Sequence, residues 1–461
     1  MILTCFKAYD IRGQIGTDLD EDIVYRIARS FARVLGCSKV VLGHDVRPTS
    51  EVFAKATARG LMDEGCTVLS IGLSGTEEMY FATTHFGADG GICVTASHNP
   101  IDYNGMKMVR AGSAPLSSTS GLAAIKELAE QNAFPPPSSD GAIVDVAAEA
   151  RTAYVDRVVS FVDVSALRPL KIVVNAGHGT AGPTFDAIAH RLQQLGAPIS
   201  FIRIFHEPDG TFPQGIPNPL LSENQPATAN AVLAAGADFG VAWDGDFDRC
   251  FLFDHGGAFV DGEYAVGLLA EAFLAKDPGA TIIHDPRIIW NTQDIVAKSG
   301  GQAVQSRTGH AFIKQVMRDE DAVYGGEMSA HHYFRDFVYC DSGMIPWLLI
   351  AELVSRNGPL ADLISDRKSR FPSSGEINFT LDDPAASIAK VVEEFRGEAL
   401  SIDRTDGISF DLGDWRFNLR SSNTEPVVRL NVEARGKPLL VANGVERIRS
   451  LLLGICPPSP R

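Results

Sequence analysis

The sequence predicts an α/β protein with largely parallel sheets, and three observations carry that expectation. Short apolar runs alternate with amphipathic stretches of helical period, the pattern of repeated β–α units. KVVLGHDVRPTS (39–50), KIVVNAGHGTAG (171–182) and TIIHDPRIIWNT (281–292) each read as a short strand running into a polar loop with a histidine, which suggests three related domains. Composition is that of an ordinary globular chain, 45% apolar and 21% charged over 461 residues, and suits two to four domains of about 100–200 residues.

In chain order, residues 19–35 place Ile23, Ile27, Phe31 and Leu35 on one helical face, with Asp20, Glu21 and Asp22 in the first turn and Gly36 as a stop. Val40-Val41-Leu42 reads as a strand entering the polar loop 43–48, and Ile92-Cys93-Val94 as a strand entering TASHNP (95–100). The Pro/Ser-rich stretch 134–141 is a surface loop, followed by a helical stretch from about 146. Apolar runs 240–243 and 250–253 read as strands on either side of an acidic loop, and His255-Gly256-Gly257 ends that region. FPSSG (371–375) precedes alternating strands of a different texture, and PPSPR (457–461) should fray. These breaks delimit units at 1–145, 146–256, 257–368 and 369–461.

The net charge of −16 argues against a nucleic-acid binder. No stretch reaches the ~18–20 unbroken apolar residues of a membrane span; the most apolar run, 343–354, contains Pro346 and Glu352. The N-terminus lacks a basic segment followed by a long apolar one, so no signal peptide is expected. Seven scattered cysteines without a CxxC pattern fit reduced thiols in a cytoplasm.

The sharpest chemical signal is VAWDGDFDRC (241–250). Asp244, Asp246 and Asp248 alternate, so in extended chain their carboxylates share one side and suit a hard cation such as Mg²⁺. An EF-hand is excluded, because its required Gly and Glu positions hold Arg249 and His255. Ser97 is either a turn residue or a nucleophile. As a nucleophile it needs an activating group, and His98 is adjacent while an Asn104-Gly105 turn would fold Lys107 back towards it. RSSNTEP (420–426) joins a guanidinium to hydroxyl and amide donors, as a phosphate dianion requires, or is an ordinary polar turn. In YGGEMSAHH (324–332), Glu327, Ser329 and His331 alternate and suit hydrogen bonding to a polyol. The adjacent His331 and His332 cannot easily share one metal ion.

With these motifs in this order, the chain resembles the α-D-phosphohexomutase family along essentially its whole length. TASHNP resembles the family's phosphoserine loop, DGDFDR (244–249) its magnesium loop, GEMSAHH (326–332) its sugar-recognition loop and RSSNTEP its phosphate-binding loop. KAYDIRG (7–13) and RTGH (307–310) match as well, and the wording of 283–287 and 331–336 is most like bacterial phosphomannomutases that feed GDP-mannose synthesis. The resemblance implies four domains around a central cleft, three similar mixed α/β domains and a smaller α+β C-terminal domain, one loop from each. It implies that Ser97 carries a phosphoryl group and that Mg²⁺ is held by Asp244, Asp246, Asp248 and an oxygen of that phosphate. The implied reaction is reversible conversion of mannose 1-phosphate and mannose 6-phosphate through a hexose 1,6-bisphosphate.

Site roles follow from the same resemblance. Catalytic residues would be Ser97, His98, Lys107, Arg12 and His310. Substrate would be bound by Tyr9, Arg249, Arg287, Gly309, Glu327, Ser329, His331, Arg420, Ser422, Asn423 and Thr424. Arg287 stands where some relatives have lysine, which is not an equivalent side chain. The partners expected are hexose phosphates, with no nucleic acid or membrane, in a cytoplasmic monomer or homodimer. A phosphoglucomutase or dual-specificity mutase is the nearest alternative. A phosphatase using Ser97 and a non-enzymatic sugar-phosphate binder are the rivals from other classes.

Overall fold

The computed structural model describes residues 2–421 and 427–454. They fall into two compact units, one of residues up to Val260 together with Ser329–Leu360, the other of Asp261–Met328 with the chain from Ala361 onward.

The first unit contains two sheets. One joins β1 (Ile11–Gln14), β2 (Lys39–His44), β3 (Thr67–Leu73), β4 (Gly90–Val94), β5 (Tyr103–Arg110), β6 (Ala114–Pro115) and β7 (Ala142–Asp145) in the order β1-β5-β4-β2-β3-β7, with β6 on β5. Here β2, β3, β4 and β7 run parallel, while β1 and β5 pair antiparallel at one side. The helix expected over 19–35 forms as Glu21–Leu35. The Asp20 carboxylate caps it by accepting the Ile23 N–H, and Gly36 ends it in the left-handed region at φ 65°. Ile23, Ile27 and Phe31 enter the core with Val40, Leu42, Ile92 and Val94 of the sheet. The second sheet joins β8 (Leu170–Asn175), β9 (Ile199–Ile204), β10 (Phe239–Trp243), β11 (Cys250–Asp254) and β12 (Phe259–Val260) in the order β12-β11-β10-β8-β9.

In the second unit, β13 (Thr281–His284) lies between and parallel to β14 (Gln302–Gln305) and β15 (Tyr324–Gly326). The chain then returns to the first unit as an antiparallel pair, β16 (His332–Phe334) and β17 (Cys340–Asp341), and a buried helix, Met344–Asn357. That helix is the most apolar run of the sequence, and no described helix is long and apolar enough to cross a membrane.

The three echoed segments thus become β2, β8 and β13, each an inner strand with a parallel neighbour on either side. One parallel neighbour of each, β4, β10 or β15, leads directly into a motif loop. For β4 and β10 the chain then turns back as an antiparallel strand, β5 or β11. The C-terminal sheet is of another kind. β18 (Ser373–Thr380), β19 (Ser401–Asp403), β20 (Ile408–Asp411), β21 (Trp415–Ser421) and β22 (Val427–Ala434) are all antiparallel, in the order β18-β22-β21-β20-β19. Helices 384–395 and 438–453 cover it, around Phe395, Phe410, Phe417 and Val432.

Two local expectations change. Asn104-Gly105 makes no turn; both residues lie inside β5. Glycine is needed there because β1 passes close by, and a Cβ at 105 would sit 2.1 Å from the Ile11 carbonyl oxygen. The acidic loop is not extended either. Phe247 N–H bonds back to the Asp244 carbonyl at 3.2 Å, and Phe247 itself takes a left-handed φ of 47°. A turn, not strand alternation, gathers the three aspartates.

Candidate active site

Ser97 lies in the loop beyond β4, in the left-handed region at φ 49°, a sparsely populated conformation for a residue with a Cβ. Thr95 Oγ1 accepts its N–H at 2.9 Å. The buried Arg47 guanidinium clamps the loop by donating to the carbonyls of Ser97, Asn99, Pro100 and Tyr103 at 2.9, 2.5, 2.8 and 3.1 Å. So held, Ser97 Oγ donates to Asp244 Oδ2 at 2.7 Å and lies 3.0 Å from His98 Nδ1. Residues 147 positions apart are brought into contact.

Asp244, Asp246 and Asp248 are fully buried, and their carboxylates offer oxygens within 4.8 Å of one another. Each has one oxygen tied by the protein. Asp244 Oδ2 holds Ser97 and has Arg249 Nε at 3.4 Å; Asp246 Oδ2 accepts from Lys107 Nζ at 2.8 Å; Asp248 Oδ2 accepts from the same ammonium. The Oδ1 atoms of all three are buried without a hydrogen bond, though His331 Nε2 lies 3.5 Å from that of Asp248. Buried oxygens left so are costly unless something cationic meets them, and three carboxylates with oxygens within 4.8 Å of one another suit a hard cation such as Mg²⁺.

The electrostatics agree. Burial, then the charges of Asp248 and Asp246, push the Asp244 carboxyl up to about 7. Burial opposes ionisation of Asp248 as well, but Lys107 and His331 hold it well below the usual carboxylate range. Burial would lower Lys107, yet Asp246 and Asp248 hold it firmly protonated. His98 is kept neutral by burial and by Arg249, Arg12 and Lys107, and Arg249 donates to its Nδ1 at 3.1 Å. Arg12 pairs with Asp10 at 2.8 Å. In β1 it faces Gly105, so it shares a face of the sheet with Lys107, and its Nη1 is buried without a partner.

A second cluster lies within the second unit. Arg287 pairs with Asp285 at 2.7 Å and approaches Glu327 at 3.7 Å and Glu376 at 3.4 Å. Glu327 accepts the Gly309 N–H at 3.0 Å, next to His310 at the start of helix 310–319. Arg420 on β21 stands directly opposite Arg429 on β22, and Glu376 lies within 3.8 and 3.7 Å of the two guanidiniums. Like charges paired across strands repel, and the shared Glu376, with Asp406 at 3.5 Å from Arg420, offsets that repulsion.

Among the expected site residues, the first unit gathers Arg12, Ser97, His98, Lys107, the three aspartates, Arg249 and His331. The second gathers Arg287, Gly309, Glu327 and Arg420, with His310 beside Gly309. Tyr9 and Ser329 are half-buried members of the first unit, separate from Glu327 in the division of the chain. Ser422, Asn423 and Thr424 lie outside the described residues. Sequence reasoning missed Arg47, Glu376 and Arg429. Only Arg47 left a signal, since HDVR (44–47) mirrors HDPR (284–287).

Models of the phosphoglucomutase/phosphomannomutase family match the chain in order: α/β/α domain I at residues 4–135, domain II at 152–257, domain III at 261–371 and the C-terminal domain at 376–450. The chain belongs to this family and is an enzyme of the phosphohexose mutase class, with the three α/β domains and distinct fourth domain that class shares. Among similar proteins, phosphomannomutase of Salmonella montevideo is 60% identical over 97% of this chain and 99% of its own length. That of Escherichia coli K12 is 59% identical over 98% of each. A phosphoglucomutase/phosphomannomutase family protein of Burkholderia thailandensis, known by crystal structure, superposes with a TM-score of 0.84 at 31% identity over 98% of both chains.

Proposed function

We propose that this mutase interconverts mannose 1-phosphate and mannose 6-phosphate through mannose 1,6-bisphosphate, with Ser97 as the phosphoryl carrier, and that it supplies GDP-mannose synthesis in the cytoplasm. One observation carries the reading: a strained, clamped serine touches a buried aspartate trio that has three oxygens to spare. Asp244, Asp246 and Asp248, with an oxygen of the Ser97 phosphate, would hold Mg²⁺, which when bound withdraws charge from the transferring phosphoryl group. The chain's own residues do the rest. Arg47 fixes the loop so that Ser97 Oγ stays in place for transfer. Lys107, protonated between two carboxylates, serves as a fixed cation, and Arg12 and Arg249 add positive charge beside it. The phosphoryl group passes from Ser97 Oγ to the sugar O6 as the O6 hydroxyl proton moves to a base, the role the resemblance gives His310. The bisphosphate then reorients, its O1 phosphoryl group returns to Ser97 Oγ, and the departing O1 takes a proton back to become the product hydroxyl. Arg287 and Arg420 would hold the phosphate that is not reacting, and Glu327, Ser329 and His331 the sugar hydroxyls, as the family resemblance implies.

The test is turnover of mannose and glucose 1-phosphates side by side, with released phosphate measured, on wild type and Ser97→Ala. Wild type should give isomer with little free phosphate and a higher kcat/KM for the mannose substrate. It should also carry about 80 Da of phosphate after incubation with a hexose bisphosphate. Ser97→Ala should lose both turnover and that mass while still binding the sugar phosphate. Preference for glucose 1-phosphate would reassign the substrate; steady phosphate release would point to a phosphatase.

A further inference from the structure

Thr76 opens the helix Thr76–His85, in another part of the first unit's chain from either motif loop. It is fully buried, and its Oγ1 donates to Asp246 Oδ2 at 2.5 Å while its backbone N–H donates to the Asp246 carbonyl at 3.2 Å. The neighbouring Gly75 lies under the Phe247 ring; a Cβ there would come within 2.2 Å of the ring edge. Residues 75 and 76 therefore form a seat for the acidic loop, fitted to its backbone, its aromatic ring and one of its carboxylates.

The seat has a chemical consequence. Asp246 has two oxygens and must offer one to a cation. Lys107 alone is a poor guide to which, since the same ammonium also serves Asp248. Thr76 differs: its side chain is short and β-branched, with few rotamers, and its helix fixes its backbone. With Thr76 and Lys107 both on Oδ2, the carboxylate plane is set and Oδ1 is left as the buried oxygen without a partner. We propose that Thr76 is a positioning residue of the metal site, holding Asp246 so that Oδ1 alone faces the cation. This rests on the reading of the aspartate trio as the Mg²⁺ site.

The experiment titrates full-length wild type, Thr76→Val and Thr76→Ser with Mn²⁺, following the free ion by electron paramagnetic resonance. Valine keeps the shape, the helix start and the backbone hydrogen bond but removes the hydroxyl. Its Mn²⁺ affinity should fall about tenfold or more, the size typical for loss of a group that orients a metal ligand. Serine restores the hydroxyl and should stay within about twofold of wild type. Thermal scans in EDTA should show all three proteins folded at the titration temperature, which separates positioning from folding. Should the valine variant fail to fold, Thr76→Ala against Thr76→Ser makes the same comparison. Unchanged affinity without the hydroxyl overturns the inference, as does serine weakening binding as much as valine. If wild type itself takes up no Mn²⁺, the reading of the trio as a metal site falls, and this inference with it.

Discussion

Arg47 and Arg287 occupy the same position in two copies of one loop and bind different things. In both copies the histidine Nδ1 contacts the next residue's carbonyl, and the aspartate accepts the arginine N–H at 2.9 Å. The Asn175 side chain accepts the Gly177 N–H in the same way in the third copy. From this shared base Arg47 reaches four carbonyls and Arg287 reaches three carboxylates. Arg47→Ala should remove a donor shared by four carbonyls and free the Ser97 loop. We expect a loss of about 3 kcal/mol in stability by denaturant unfolding, the scale for a buried charged donor. Steady-state kinetics should show kcat falling by at least about tenfold, with KM changing less, as the proposal that Ser97 Oγ carries the phosphoryl group requires of the clamp that places it. At this scale the sequence was informative about chemistry and poor about contact. The acidic loop stood out because three aspartates alternate between two apolar strands, and the structure gathers them by a turn and not by the extended alternation expected. The meeting of Ser97 with Asp244 came from family resemblance, since no local pattern reports a contact made by tertiary folding.

At the scale of elements, periodicity was a good guide where one face is buried. The helix 21–35 follows its apolar spacing and stops at its glycine. It failed at Asn104-Gly105, because a turn-forming pair and a close strand crossing call for the same residue. The short edge strand β7 was also hidden, as all four of its residues are exposed and nothing alternates. A different element conflict bears on pH. Glu263, in the first turn of helix 262–276, is buried with Ser373 on Oε1 and no partner on Oε2. Burial, then Asp261, push its carboxyl up from the ordinary 4.5 to about 7. The unfolded chain gives up this proton first, so stability is retained below about pH 4 and lost as pH rises to about 7, on the order of 3 kcal/mol in all. Glu263→Gln should therefore melt higher than wild type at pH 8 and show no such gain at pH 4, by parallel thermal scans.

For the whole molecule, the alternation of strands and helices made the α/β class legible, and the change of texture after residue 371 marked the antiparallel sheet. The division into two compact units was not legible, because it depends on where the chain re-enters the first unit at Ser329, in the middle of a motif. That division makes a prediction. The aspartate trio and its supports lie in the first unit, so Mg²⁺ should stabilise that unit, by about 2.7 kcal/mol at a hundredfold excess over Kd. Hydrogen exchange should slow in residues 74–76, 95–103 and 244–249 on adding Mg²⁺ and stay unchanged in β19 and β20. Slowing spread evenly over both units would contradict it.

The recurrent placement of the first three motif loops, each just past a parallel neighbour of an echoed strand, also bears on how such an enzyme can vary. A loop at that join lies mostly outside the ladder that holds its sheet together. Positions in it that are neither clamped nor seated can change, or be exchanged by an engineer, while the scaffold beneath keeps its register. New substrate preferences are thus open to a family of this build without a new architecture.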